Sequence, residues 1–172
     1  MATLGFDVGS LNLDEHQEQR AARDRIKIEG TIPIKGPPGT GKSTVISNCS
    51  FDLINEYSPV LVVTHTNAMV DSILSKIDSL VRRSNIQLPR GFIIRYGNVT
   101  ELNYTYPHLN SCTLDSLVLH HQAKTNSGTS RTRAGIDLMQ NARIILCTTY
   151  IAKDLKNIVK AGAVLIDEVS WP

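Results

Sequence analysis

Eight consecutive residues, Gly36-Pro37-Pro38-Gly39-Thr40-Gly41-Lys42-Ser43, spell G-x-x-x-x-G-K-[ST] without a mismatch. Glycines at this spacing let a backbone curl until successive N–H groups converge on one anion. A helix opening at Lys42 would add its unsatisfied donors and the positive end of its dipole. In such a loop the Lys42 ammonium reaches the β and γ phosphates of a nucleotide, and the Ser43 hydroxyl ligates Mg²⁺. Gly36 to Ser43 and the following Thr44 are therefore the candidate contacts for ATP and Mg²⁺.

A phosphate-transfer site also needs an acid, at the end of another parallel strand. Ala163-Val164-Leu165-Ile166-Asp167-Glu168 has that form. Its apolar run reads as a buried strand, with Asp167 emerging at the carboxyl end, where open α/β sheets bind their ligands. Asp167 is the expected second Mg²⁺ ligand. Glu168 is the expected catalytic acid–base group, orienting or deprotonating water beside the catalytic Lys42.

The elements that must position these residues alternate along the chain, which predicts an α/β fold with a parallel sheet and helices on both faces. Strands are expected at Thr31–Lys35, Val60–Thr64, Phe92–Tyr96, Arg143–Cys147 and Ala163–Asp167. Pro33 interrupts the first of these, because proline removes a ladder donor. Helices are expected from an Asp14 N-cap to Ile28, over Lys42–Tyr57 and Asn67–Val81, and around Ile151–Val159. Residues 98–133 fit this alternation worst and read as an insertion within one domain spanning 1–172. The polar run Thr125–Ser130 is its expected flexible tip.

Composition sets outer bounds. An apolar fraction of 41% and a charged fraction of 20% suit a folded chain. No apolar run approaches the roughly 20 residues that span a bilayer, so no membrane partner is expected. Three scattered cysteines supply neither a disulfide framework nor zinc spacing, and an intracellular location, nucleus or cytoplasm, is expected. Net charge is only +2, yet Val81–Arg133 carries seven Lys/Arg against Glu101 and Asp115. That basic middle is compatible with a nucleic-acid partner. His120-His121 has no companion at metal-ligand spacing.

Taken together, these motifs resemble the first RecA-like motor domain of superfamily 1 helicases of the nonsense-mediated-decay and senataxin type. Lys42 and Asp167 stand 125 residues apart, whereas hexameric AAA-type ATPases place their acidic strand roughly half as far downstream. Leu13-Asp14-Glu15-His16-Gln17 resembles the family's Leu-Asn-x-x-Gln segment, in which the glutamine reads adenine; Gln17 could equally close a capping box with Asp14. Thr64-His65-Thr66-Asn67-Ala68-Met69-Val70-Asp71 and Ala142–Thr149 resemble segments that touch a nucleic-acid backbone. The resemblance thus implies RNA or DNA single strand as partner, through Thr66, Asn67, Thr148 and Thr149. Each of these could instead cap a helix, and Asp71 would then be surface charge. Ile94-Arg95-Tyr96-Gly97 is also family-like, with Arg95 more suited to propping a loop than to binding substrate. Asp167-Glu168-Val169-Ser170 resembles the family's Asp-Glu-Ala-Ser.

There are departures. Pro33 and Lys35 replace an apolar residue and a glutamine, and Trp171 stands where glutamine is usual. In the family, a further strand lies between the Asp-Glu strand and the phosphate-loop strand, and a second motor domain supplies arginine fingers. The resemblance therefore implies a sheet truncated after the Asp167 strand, with a gap beside it, in a fragment that does not unwind nucleic acid alone. A nucleotide-gated binding module without turnover, or a non-functional remnant, is the alternative expectation.

Overall fold

Three β-branched and leucine-rich runs form the centre of a parallel sheet, as continuous apolar strands do when helices cover both faces. The structure, a computed structural model, describes residues 11–13, 15–28, 33–125 and 130–167. In chain order the elements are α1 (Gln17–Ile28), α2 (Lys42–Leu53), β1 (Val60–Thr64), α3 (Asn67–Arg83), β2 (Ile93–Arg95), α4 (Thr100–Thr105), a 3-10 helix (Pro107–Cys112), α5 (Leu114–Thr125), α6 (Arg131–Asn141), β3 (Ile144–Thr148), α7 (Thr149–Leu155) and β4 (Ala163–Ile166). The strand order is β2-β3-β1-β4, every pair parallel. This is an α/β domain of the RecA-like kind.

Strand parity divides the core into two layers, because successive side chains point to opposite faces. Val60, Val62, Ile93, Ile144 and Leu146 pack with α2 and α3 through Phe51, Ile54, Val70, Ile73, Leu74 and Ile77. Val63, Ile94, Ile145 and Cys147 pack on the other face with Leu117, Met139, Leu155 and Val159. The stretch read as an insertion is largely helical and helps fill both layers: Leu102 and Leu109 join the first, Leu117 the second. Of its polar run, residues 126–129 lie outside the described residues.

Two expected strands turn out differently. Thr31 and Ile32 lie outside the described residues, while Pro33, Ile34 and Lys35 are irregular and exposed rather than paired in the sheet. A proline that cannot donate, followed by an exposed charge at Lys35, leaves this segment little to gain from a ladder. β4 is not a fully buried strand. It pairs with β1 alone among the described residues, and Val164 and Ile166 are each 51% exposed. Register places both on the face where Leu61 and Val63 meet the second layer, beyond the cover of its helices. Its far edge has no partner among the described residues.

Candidate functional site

The phosphate-loop motif folds as a curl ending in α2. Gly41, the residue before the helix, takes left-handed backbone with φ 79°, and Gly39 has φ 82°. Side chains disfavour that region, and at Gly41 a Cβ would also run into the Gln19 amide. The Thr40 hydroxyl donates to the Pro37 carbonyl at 2.8 Å. The Lys42 ammonium donates to the carbonyls of Gly36 at 2.8 Å and Pro37 at 3.0 Å. Lys42 thus folds over its own loop, whose residues Gly36–Thr40 are exposed. Neutral carbonyls in contact with water are easily exchanged for charged phosphate oxygens, which bind an ammonium more strongly.

β4 delivers Asp167 to this loop. Its N–H donates to the Val63 carbonyl at 2.9 Å, continuing the ladder, and the residue is only 7% exposed. The Ser43 hydroxyl donates to Asp167 Oδ2 at 3.4 Å, joining positions 124 apart in sequence. Both face a cleft of about 390 Å³, lined by Pro38, Gly39, Gly41, Lys42, Ser43 and Asp167, and by Met69, Ser72 and Lys76 of α3. A hydroxyl and a carboxylate this close are the hard oxygen donors that Mg²⁺ takes, usually together with waters and substrate phosphates. These residues fit such an ion. Glu168 lies outside the described residues, as does Asp14.

At the start of α1 the predicted cap moves by two residues. The helix begins at Gln17, so Gln19, not Gln17, occupies its third position. The His16 N–H donates to Gln19 Oε1 at 3.0 Å, which is the reciprocal half of a capping box. Gln19 Nε2 donates in turn to the Thr40 carbonyl at 3.0 Å, so this side chain ties α1 to the phosphate loop. Gln17 is exposed on the helix start. Glu15 and Arg23 add a second tie. The Glu15 carboxylate meets Arg23 Nη2 at 2.8 Å and accepts from Asn48 at 3.2 Å, while Arg23 Nη1 meets Asp52 at 2.7 Å. Desolvation lowers the Arg23 pKa, but the two carboxylates outweigh it and hold the guanidinium charged.

The remaining predicted contacts line the carboxyl rim of the sheet, where Thr64 and Thr148 are neighbours in register. Thr66 caps α3, accepting from the Met69 N–H at 3.3 Å. Thr148 sits at the N-cap of α7 but makes no side-chain cap bond there, and Thr149 is the first residue of that helix. Arg95 props this rim from beneath. Its fully buried guanidinium donates to Asp71 Oδ1 at 2.7 Å, Asn67 Oδ1 at 3.0 Å, the Tyr96 carbonyl at 2.6 Å and the Asn98 carbonyl at 2.9 Å. Asp71 is accordingly no surface charge: it is 3% exposed, turned inward by its ion pair with Arg95. Burial pushes the neighbouring Cys147 thiol up to about 11, with the Arg95 charge pulling the other way.

Gln19 and the α3 residues Ser72 and Lys76 were not singled out by sequence reasoning. The signal for the latter pair was present: Met69, Ser72 and Lys76 follow i, i+3, i+7, one stripe of a helix. It runs beside the apolar stripe of Val70, Ile73, Leu74 and Ile77.

Fold and site together define a parallel α/β domain with a glycine-curled, lysine-bearing loop set against a strand-end carboxylate. Comparison with known proteins agrees: the AAA domain family matches residues 12–136, and the chain belongs to it as a superfamily 1 helicase-like motor region. It is 38% identical over 82 residues to the DNA replication ATP-dependent helicase/nuclease DNA2 of Saccharomyces cerevisiae, covering 47% of this chain and 5% of that protein. It is 35% identical over 103 residues to the NFX1-type zinc finger-containing protein 1 homolog of Caenorhabditis elegans, covering 54% and 4%. A putative regulator of nonsense transcripts 1 from Takifugu rubripes is 29% identical over 151 residues, covering 78% and 14%. The chain thus spans a small part of the length of each. Among the described residues no helix is long and apolar enough to cross a membrane.

Proposed function

We propose that this chain is the ATP-binding segment of a helicase-type ATPase acting on single-stranded RNA or DNA inside the cell, nucleus or cytoplasm. The observation that carries the reading is the meeting of Ser43 and Asp167 beside Lys42 in one cleft. In it, residues 36–44 cradle the triphosphate with their backbone N–H groups. Lys42 releases the Gly36 and Pro37 carbonyls and takes up the β and γ phosphate oxygens. Ser43 and Asp167 would hold a Mg²⁺ ion, which would supply positive charge to the phosphates. Glu168, next in sequence to Asp167, orients the attacking water and accepts its proton. Gln17, exposed at the start of α1, contacts the adenine edge.

Residues 1–172 form part of one RecA-like domain on this reading, with 98–133 as an insertion. A single strand crosses the carboxyl rim at Thr66, Asn67, Thr148 and Thr149. The basic middle of the chain and the helicase and regulator-of-nonsense-transcripts names of two relatives support this choice of partner. The test is Glu168→Gln in a paired binding and single-turnover assay, with and without polynucleotide. Mg-ATP binding should persist within about twofold while hydrolysis falls by at least about 10². Unchanged hydrolysis by Glu168→Gln would remove that residue from the reaction.

A further inference from the structure

We infer that Lys76 is a second phosphate-binding cation, contacting the terminal phosphate of the nucleotide from the wall opposite the phosphate loop; this rests on the cleft being a nucleoside triphosphate site. Lys76 lies on α3, 34 positions from Lys42, yet lines the same cleft as Lys42, Ser43 and Asp167. Helical side chains lean toward their own N-terminus. The Lys76 stem therefore extends past Ser72, one turn earlier, toward the carboxyl rim where α3 begins and Asp167 emerges.

The two lysines differ in how they are held. Lys42 is fastened to two carbonyls of its own loop. Lys76 makes no hydrogen bond or ion pair with any described residue, though it is half-buried on a wall otherwise formed by Met69 and Ser72. An ammonium with no bonded partner among the described residues, on a cleft wall, gains most from an anion that arrives in the cleft. With the β and terminal phosphates taken up by residues 36–43 on one side, the α3 residues lining the same cleft face those phosphates from another. Of these the terminal phosphate, present in ATP and absent from ADP, is the one assigned to Lys76.

The experiment measures equilibrium binding of Mg-ATP and Mg-ADP to the full chain, as wild type, Lys76→Ala and Lys76→Arg. The proposal expects Lys76→Ala to weaken Mg-ATP about tenfold, the loss of one charge-assisted bond. Mg-ADP should shift by less than about twofold, and Lys76→Arg should recover most of the loss. Equal weakening of both nucleotides, or of neither, overturns the terminal-phosphate contact while leaving the loop site standing. If wild type binds no Mg-ATP, the nucleotide reading fails and this contact fails with it. Thermal melting of each variant without nucleotide separates a binding defect from unfolding, since Lys76 is not in the core.

Discussion

Two cations at the carboxyl end of the same sheet are held in opposite ways. Arg95 is sealed in the protein, with four acceptors around it, one of them a buried carboxylate. Lys42 opens α2 beside an exposed loop, bonded to two neutral carbonyls that water or phosphate can replace. The difference separates a brace from a binding group. Arg95 fixes the ends of β2 and α3 relative to each other, and its ion pair answers the desolvation of two charges. Among the described residues Lys42 has no carboxylate bonded to it, so its charge remains available to a ligand. One side of the rim is finished; the other is built to receive something.

That contrast can be broken most sharply by removing the brace. Arg95→Met leaves Asp71 charged and buried, with Oδ2 already lacking a bonded partner among the described residues. Urea unfolding should show a loss of about 3–5 kcal/mol. A loss under about 1 kcal/mol would mean that the pair is solvated, and the contrast would collapse. Gly41→Ala comes next. Left-handed backbone predicts a cost of about 1–2 kcal/mol by the same measurement, together with weakened nucleotide binding, and the added Cβ displaces the Gln19 amide from Thr40. Lys42→Ala should be the smallest, within about 0.5 kcal/mol of wild type, as expected of a partly exposed group with replaceable bonds.

The fold was legible where chemistry and periodicity spoke together. Val60–Thr64 and the α3 stripe of Val70, Ile73, Leu74 and Ile77 announce their elements, and each lies as its pattern predicts. The phosphate loop was equally plain, because glycine spacing records a backbone shape rather than a packing environment. What was hidden depends on distant neighbours. Asp71 reads as surface charge until Arg95, on a strand 24 positions later, turns it inward. Gln19 looks like any helix residue until α1 is seen to begin at Gln17, which puts its amide against Thr40. Pro33 was a local warning, and the exposed segment at Pro33–Lys35 follows it. The half-exposure of β4 depended on which elements pack beside it, which its own apolar run cannot reveal.

The central claim is that residues 36–43, with Asp167, form a site for a nucleoside triphosphate. Equilibrium binding of labelled ATP in the presence of Mg²⁺, to wild type and to Lys42→Ala, tests it most directly. Saturable binding by wild type, weakened by at least about 100-fold in Lys42→Ala, is the predicted result, corresponding to about 2.7 kcal/mol. Equal binding by the two proteins would contradict it.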